Sequence, residues 1–326
     1  NKKALLKKDD FLNYKSIQRK PVCGNYRKFK ICSMGPPSSG GITMLQILGI
    51  LENFDPKLFK NNLHKVHLFI EATRLAMKDR SYFIADPDYV NVPIKKLIGK
   101  EYLKQRSSLI NLNSKMKNVS AGNFEGVSKK SLNVSINSHS TTHFVILDQY
   151  GNALSMTSSV ESAFGSRIMS SGMMLNNQLT DFSFRSKDKD GKRVANAVAP
   201  NKRPLSSMTP TIIFDSNGKL FALLGSPGGK SIISYVTQTV IGLIDLNQSI
   251  QDSINYPRFL ASRNNVVLEK NTFIVNYAEE LKKIGHSIKI KKQFSGLHGI
   301  KITKKGSGYQ IQGAADPRRE GTVGFT

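Results

Sequence analysis

Three clusters of glycine and serine supply groups that could bind a negative charge. They are GPPSSGG (residues 35–41), PLSSMTP (204–210) and GSPGGK (225–230). Consecutive glycines ahead of a helix leave backbone N–H groups exposed, and these can bind an anion or stabilise an oxyanion. Taken alone, GSPGGK is more typical of an ordinary turn between a strand and a helix. The order of the clusters along the chain is therefore more informative than any one of them.

A pair of threonines, Thr141 and Thr142, stands at an abrupt change in the chain. Residues 111–140 are polar and show no apolar periodicity, whereas HFVILD (143–148) opens an apolar strand. A polar segment of this kind is typical of a linker or a disordered arm. Such an arm joins two domains or marks a place where the chain is cut. As an isolated pair, the threonines would simply be β-branched residues that start a strand.

The elements around these residues change type at the polar arm. Before it, apolar positions recur with helical spacing in 41–55, 55–80 and 86–110, which predicts a mostly helical part. After it, alternating patterns predict two hairpins, 143–159 and 211–225, a helix over 229–245, and a closing helix and strands. Strands flanked by helices indicate a layered α+β fold.

Composition limits the classes of protein. With 326 residues, 39% hydrophobic residues and 17 Phe, the chain can bury a sizeable core. No apolar run is long enough to span a membrane. The basic start NKKALLKKDD has neither Met nor the apolar segment of a signal peptide, so a targeting segment has been removed or the chain is a fragment.

The charged, cysteine and histidine residues suggest no special chemistry. The net charge is +25, from 48 Lys and Arg against 23 Asp and Glu, but the basic residues are spread from end to end. This predicts a lysine-rich solvated surface rather than a specific nucleic-acid site. Cys23 and Cys32 are expected to be free thiols. His64 and His67 have no third ligand nearby, so neither a metal site nor a cofactor is expected.

Several motifs together resemble, in sequence and in order, the γ-glutamyltranspeptidase family of N-terminal-nucleophile hydrolases. They are PPSSGG, FIEATRLAMKDRSYFIADPDYV, IKKLIGKEYL, TTHFVILDQYGNAL, LNNQLTDFSF, PNKRPLSSMTPTI, GSPGG and ADPRREGTVGF. The resemblance covers nearly the whole chain. It implies an α+β fold, the αββα sandwich of these hydrolases, without the N-terminal part of the large subunit. Residues 1–140 would be the rest of the large subunit, ending in the polar arm 111–140, and 141–326 the small subunit.

The resemblance also gives the threonine pair a role. Family members are precursors cut before a threonine, which implies autocatalytic cleavage between Ser140 and Thr141. A threonine hydroxyl is a weak nucleophile and needs a base. Once Thr141 is a chain terminus, its own α-amine can act as that base, with a pKa of about 7.7 to 8.0. Before cleavage the same nitrogen is an amide and cannot accept a proton. Cleavage would therefore activate the enzyme.

Further catalytic roles are implied by position in the family motifs. Thr157 is expected to hydrogen-bond the nucleophile. Ser159 stands where the family commonly has a second Thr and is expected to bind the substrate. Gly228 and Gly229 are expected to donate backbone N–H groups to the oxyanion of the tetrahedral intermediate.

The motifs likewise imply contacts to a glutamyl donor. Ser206 and Ser207 are expected to bind its α-carboxylate, and Gln178 and Asp181 its α-amino group, since a carboxylate beside an ammonium is a charge-assisted pair. Glu161 stands where glutathione-cleaving members have a substrate-binding Asn, so it would strengthen binding of an ammonium or repel an acidic donor.

The chain departs from the family in two other ways. The connection 184–203 is shorter than the family's lid loop and has no Tyr, which predicts a more open pocket. Only residues 1–140 precede Thr141, whereas the family's large subunit is longer and supplies an Arg for the α-carboxylate from the part with no counterpart here.

Two classes of function follow from the resemblance. The first is a γ-glutamyl hydrolase and transpeptidase acting on glutathione and other γ-glutamyl amides, with water, amino acids or peptides as acceptors, or an acylase of glutaryl or cephalosporin type. It would be a heterodimer of its own two fragments, periplasmic or secreted like its relatives, with no export signal in the chain. The second is a truncated, non-catalytic remnant.

Overall fold

The computed structural model describes residues 7–124, 140–188, 190–262 and 264–325. Its α-helices are α1 (Lys8–Leu12), α2 (Gly40–Leu51), α3 (Asn62–Phe83), α4 (Ile94–Leu97), α5 (Lys100–Ser107), α6 (Ile232–Ile244), α7 (Ile250–Asn255) and α8 (Ala278–Lys283). Short 3₁₀ turns lie at Pro56–Lys60, Gln178–Asp181, Gly229–Ser231 and Phe273–Tyr277.

The strands are β1 (Val22–Tyr26), β2 (Phe29–Ser33), β3 (Ser140–Leu147), β4 (Ala153–Glu161), β5 (Met169–Ser170), β6 (Met173–Met174), β7 (Thr211–Phe214), β8 (Leu220–Gly225), β9 (Phe259–Ser262), β10 (Asn265–Glu269), β11 (Ser287–Lys291), β12 (His298–Lys305) and β13 (Gly308–Ala315). Six of them form an antiparallel sheet in the order β1-β2-β7-β8-β12-β13. Because β2 pairs with β7, residues from both sides of the predicted cleavage point share one sheet.

The six-stranded sheet lies between helices and a second, two-stranded sheet. A Cβ on Gly299 of β12 would meet Ile250 of α7, whereas a Cβ on Gly225, which pairs with His298, would meet the His143 ring of β3. Adjacent residues of a strand point to opposite faces of a sheet. The β3–β4 hairpin and α7 therefore cover opposite faces.

The helical layer carries most of the apolar core. Every residue of α2 is buried, as expected of a helix that is apolar all round. This helix packs against α3, α5 and α6 as well as β1 and β2. At the start of α3, the Asn61 side chain accepts a hydrogen bond from the backbone N–H of His64, which caps the helix.

The outer face of the β3–β4 hairpin is exposed in the described part of the chain. Phe144 lies opposite Met156, and Ile146 lies opposite Leu154. Their side chains are 38%, 44%, 50% and 42% exposed, respectively. The alternate residues of both strands face the six-stranded sheet, where Ser155 Oγ donates to the Leu224 carbonyl at 3.1 Å. One face of the hairpin is thus packed, and the other is an apolar surface.

Two features of the N-terminal part differ from the sequence predictions. It contains the β1–β2 hairpin, which helical spacing did not indicate. Cys23 and Cys32 lie directly opposite each other in that hairpin, with Cα atoms 4.1 Å apart, and form a disulfide. The prediction of two free thiols is wrong, because the strand register that brings the two cysteines together cannot be read from their positions in sequence.

The beginning of the predicted polar arm is packed rather than detached. His67 Nε2 donates to the Asn111 carbonyl at 2.7 Å, and the Met116 N–H donates to Glu71 Oε2 at 2.7 Å. The buried ring of Phe124 lies edge-on to Phe83. Residues 111–124 are therefore part of the fold, and the rest of the arm up to 139 lies outside the described residues.

Candidate active site

The threonine predicted as nucleophile has a serine as its hydroxyl partner. Thr141 lies directly opposite Ser159 in the β3–β4 pair, and a bulge shifts the register between Ser140 and Thr141. Thr141 Oγ1 donates to Ser159 Oγ at 3.1 Å, and that oxygen also accepts from the Glu161 N–H at 2.9 Å. Directly opposite side chains on one face of a sheet are close enough for such contacts.

The contact predicted for Thr157 is wrong. Thr157 lies opposite His143, and its Oγ1 is 2.8 Å from His143 Nδ1 rather than bonded to Thr141. Burial lowers the pKa of His143 to about 3, with a smaller contribution from His298. The imidazole is therefore neutral at physiological pH. Thr157 contacts this buried ring and lies two residues along β4 from Ser159, which contacts Thr141.

Thr141 opens onto a pocket that collects most of the predicted site residues. The pocket is lined by Arg80, Thr141, Ser159, Glu161, Gln178, Asp181, Leu205, Ser206, Ser207, Met208, Gly229, Lys230 and Ile232. Neither Thr157 nor Gly228 is among these residues. No described residue of 184–203 lines the pocket either.

Hydrogen bonds join the two serine clusters of the sequence beside the pocket. The Ser39 N–H and Oγ both donate to the Ser206 carbonyl, at 2.9 and 2.6 Å. Ser38 Oγ donates to the Met208 carbonyl at 2.6 Å. The Ser206 N–H in turn donates to the Pro37 carbonyl at 3.1 Å. Residues 36–41 therefore position the segment that carries Ser206 and Ser207.

Two acidic residues, Glu161 and Asp181, also line the pocket. The side chain of Gln178 donates to Asp181 Oδ2, and Asn177 and Ser162 donate to Glu161 Oε2. Burial and then the charge of Glu161 raise the pKa of Asp181 to about 6. At neutral pH the Asp181 carboxylate is ionised in a partly desolvated place, which suits a bound ammonium group.

Gly228 and Gly229 form the turn between β8 and α6. Both have positive φ, +135° and +58°, and a Cβ on Gly228 would lie 2.8 Å from Tyr235 Cε2. The turn therefore needs glycine at 228 for both backbone and steric reasons. Gly229 lines the pocket, and the oxyanion role of the two glycines stays a prediction.

Two cations of the pocket, Arg80 and Lys230, were not found by sequence reasoning. Arg80 lies on α3, far from the other residues in sequence, and only the packing of α3 against the serine clusters brings it to the pocket. Lys230 directly follows the two glycines of GSPGGK, so its position next to these predicted site residues could have indicated that it lines the pocket.

The described residues contain no group of three or more His, Cys, Asp or Glu that could hold a metal ion. Within the same residues no helix is long and apolar enough to cross a membrane.

Known proteins are similar in sequence to this chain over nearly its whole length. A model of the gamma-glutamyltranspeptidase family matches residues 1–326. The glutathione hydrolase proenzyme of Escherichia coli (strain K12) is 36% identical over 329 residues, covering 97% of this chain and 54% of that protein. The acylase ACY 1 proenzyme of Pseudomonas sp. (strain SE83) is 32% identical over 323 residues, covering 98% and 54%. The chain thus spans about half the length of the curated relatives it matches.

Solved structures agree on the fold. A cephalosporin acylase from Bacillus halodurans superposes with a TM-score of 0.82 at 23% identity, over 98% of this chain and 55% of that one. A mutant of Helicobacter pylori gamma-glutamyltranspeptidase has a TM-score of 0.51 at 35% identity, over 55% of this chain and 100% of the matched chain.

The fold is that of the N-terminal-nucleophile hydrolases, which confirms the predicted fold class. Within that class, the chain belongs to the gamma-glutamyltranspeptidase family, as its motifs predicted.

Proposed function

We propose that the chain is the catalytic part of a γ-glutamyl hydrolase and transpeptidase that acts through Thr141. The observation that carries the proposal is the place of Thr141 in the pocket. Its hydroxyl contacts Ser159 in a pocket that is lined both by Arg80 with Ser206 and Ser207 and by Asp181 with Glu161. An α-amino acid group carries a carboxylate and an ammonium, so such a pocket suits a γ-glutamyl donor.

Maturation is the first step of the proposed mechanism. Thr141 Oγ1 attacks the Ser140 carbonyl carbon, the C–N bond breaks, and the hydroxyl proton goes to the released amine. Water then hydrolyses the resulting ester, which leaves a carboxylate on Ser140 and a free amine on Thr141. That amine, with a pKa of about 7.7 to 8.0, is the general base of the mature enzyme.

Turnover repeats the same attack on a donor. The Thr141 amine takes the hydroxyl proton as Oγ1 adds to the γ-carbonyl carbon, and backbone N–H groups of Gly228 and Gly229 stabilise the oxyanion. The leaving amine takes the proton as the amide bond breaks, which leaves a γ-glutamyl ester on Thr141. Water or an acceptor amine then attacks the ester and regenerates the hydroxyl.

The 32% identity to acylase ACY 1 favours a second candidate function, that of an acylase. The two candidates differ in the donor that the pocket accepts. A glutaryl group has no ammonium, so it would lack the charge-assisted contact that the Asp181 carboxylate offers to a γ-glutamyl donor. The pocket therefore favours γ-glutamyl over glutaryl amides.

The disulfide and the relatives bear on the compartment and the subunit arrangement of the enzyme. We propose export to the periplasm or cell exterior, since disulfides such as Cys23–Cys32 persist mainly in oxidising compartments. The mature enzyme would be a heterodimer of fragments divided at Ser140 and Thr141, held together by the sheet they share.

Intact mass of the purified protein tests the proposal first. Two fragments divided between Ser140 and Thr141 are expected, and Thr141→Ala should remain one chain. Release of nitroaniline from a γ-glutamyl anilide then tests turnover. A wild-type chain that stays uncut on long incubation and is as inactive as Thr141→Ala would instead identify a non-catalytic remnant.

A further inference from the structure

A second cavity lies between β1, at the edge of the six-stranded sheet, and the helices α2 and α5. Its volume is about 240 Å³, against about 50 Å³ for the pocket beside Thr141. The two cavities share no lining residue. The larger cavity is therefore a feature separate from the candidate active site.

The buried part of this cavity is apolar. Leu45 of α2 and Leu103 of α5 line it and are only 4% and 5% exposed. Ile98, which follows α4 directly, lines it and is half-buried. A dry, apolar cavity of about 150 Å³ in another protein is large enough to bind benzene. A cavity of about 240 Å³ can therefore take a branched aliphatic side chain and still leave room for polar groups beside it.

Two opposite charges line the same cavity. Glu52 stands at the end of α2 and is half-buried, and Lys100 is the exposed first residue of α5. The Arg27 N–H donates to Glu52 Oε1, which helps to hold the carboxylate in place. In the described part of the chain no ion pair joins Glu52 to Lys100. The cavity thus offers both charges to a ligand.

The end of α2 adds to the negative charge near Glu52. The last carbonyls of a helix lack helical partners and form the negative end of its dipole. Asn53 also lines the cavity, and its side-chain N–H donates to the Gly49 carbonyl at 2.8 Å, which leaves its Oδ1 as an acceptor. These groups favour an ammonium, whereas the Lys100 ammonium favours a carboxylate.

We propose that this cavity binds a free α-amino acid with an aliphatic side chain, such as leucine. The ammonium lies at Glu52, the carboxylate lies at Lys100, and the side chain packs on the apolar residues of the cavity. A zwitterion satisfies both charges at once, which neither an amine nor a carboxylic acid can do. The inference does not rest on the proposed catalytic function, because it concerns residues that the pocket beside Thr141 does not use.

Four ligands separate the parts of this recognition in a calorimetric titration of the purified protein. L-Leucine carries all three groups, leucinamide lacks the carboxylate, N-acetylleucine lacks the ammonium, and glycine lacks the side chain. We expect each of the last three to bind about tenfold or more weakly than leucine, since each loses a charge-assisted contact or the apolar burial.

Two variants connect each charged group of the ligand to its residue. Glu52→Gln should weaken leucine binding about tenfold and remove its advantage over N-acetylleucine. Lys100→Gln should weaken it similarly and remove its advantage over leucinamide. Glu101→Gln and Lys104→Gln are matched controls, because both residues are exposed on α5 and neither lines the cavity. Both controls should bind leucine as the wild type does.

Ile98→Phe tests the cavity without changing a charge. The larger side chain occupies space that leucine needs, so we expect binding to be lost while the protein keeps a cooperative melting transition. Asp181→Asn changes only the pocket beside Thr141 and should leave leucine binding unchanged.

Three results would overturn the inference. The first is that leucine gives no heat of binding at about 10 mM. The second is that the affinity for leucine is the same in Glu52→Gln, Lys100→Gln and Ile98→Phe as in the wild type. The third is that Asp181→Asn loses as much affinity as Glu52→Gln, which would place leucine in the pocket beside Thr141.

Discussion

Thr141 Oγ1 and Ser159 Oγ are 3.1 Å apart across the β3–β4 pair, and both side chains face the pocket. The register sets this relationship, because Thr141 and Ser159 are direct cross-strand neighbours whereas Thr157 lies opposite His143. The hydroxyl of Thr141 is thereby held in one orientation at the pocket wall.

Removing the Ser159 hydroxyl should slow both cleavage and turnover. Ser159→Ala loses the contact that orients Thr141, and we expect a fall in both rates of about tenfold, near 1.4 kcal/mol. Ser159→Thr should restore them. Cleavage is followed by intact mass, and turnover by anilide release.

Thr157→Val is the control for Ser159, because it keeps the Thr141 contact and removes the partner of His143 Nδ1. It should lower the free energy of unfolding by about 1–3 kcal/mol and leave the cleavage rate unchanged. Equal slowing of cleavage in Thr157→Val and Ser159→Ala would contradict the assignment of the contact.

Asp181 should give donor recognition its own pH dependence. The pKa of this carboxyl is raised to about 6, so acidification below that value removes the charge that faces the donor's ammonium. We expect the ratio of kcat/KM for γ-glutamyl over glutaryl anilide to fall as pH drops through about 6. The ratio cancels the titration of the Thr141 amine, which both donors share.

Asp181→Asn should make the ratio of kcat/KM for γ-glutamyl over glutaryl anilide low and independent of pH. Because the folded-state pKa is raised, the carboxyl contributes stability that is present at low pH and is lost as pH rises through about 6. The variant should therefore melt higher than the wild type at pH 8, with the gap narrowing toward pH 4. A ratio that still falls near pH 6 in the variant would assign the titration to another group.

Gly40 should be required for the placement of the pocket serines. A Cβ at this position would lie 2.2 Å from Thr209 Oγ1 and 2.6 Å from the Met208 carbonyl oxygen. Gly40→Ala must therefore displace the segment that carries Ser206 and Ser207, at a cost of about 1–3 kcal/mol in stability. We expect a lower melting temperature and a higher KM for the γ-glutamyl anilide.

Gly308→Ala is the control for Gly40, since the nearest atom to its added Cβ, the Lys305 carbonyl oxygen, is 4.0 Å away. It should change neither the melting temperature nor the KM for the γ-glutamyl anilide. An unchanged KM in Gly40→Ala would show that the serine segment does not depend on this close approach.

The Cys23–Cys32 disulfide should support stability without affecting the reaction. It joins residues nine apart in sequence in the hairpin at one edge of the six-stranded sheet, and neither cysteine lines the pocket. In the chain-entropy model a loop of this length contributes about 2–3 kcal/mol. The double variant Cys23→Ser/Cys32→Ser should melt lower and keep its kcat/KM.

Dithiothreitol should lower the melting temperature of the wild type and have no effect on the double cysteine variant. A loss of activity on reduction with no change in melting temperature would contradict a structural role for the disulfide.

Local patterns predicted many of the elements but not how they pair. Helical spacing placed α2, α3 and α6, and alternation placed the β3–β4 and β7–β8 hairpins. The same patterns missed β1, β2, β9 and β10. They also described 111–124 as part of a free arm, because its few apolar side chains, such as Phe124, have no periodicity and are buried by partners distant in sequence.

The sequence by itself determined the family, through motifs whose order is specific, and with it the serine, glycine and acidic residues that surround Thr141. Only the tertiary structure decided which hydroxyl contacts Thr141, that Cys23 and Cys32 are joined, and that Arg80 reaches the pocket. The reason is physical, because motif order is a property of the linear chain. Contacts across strands and between packed helices depend instead on register and packing, which bring together residues far apart in sequence.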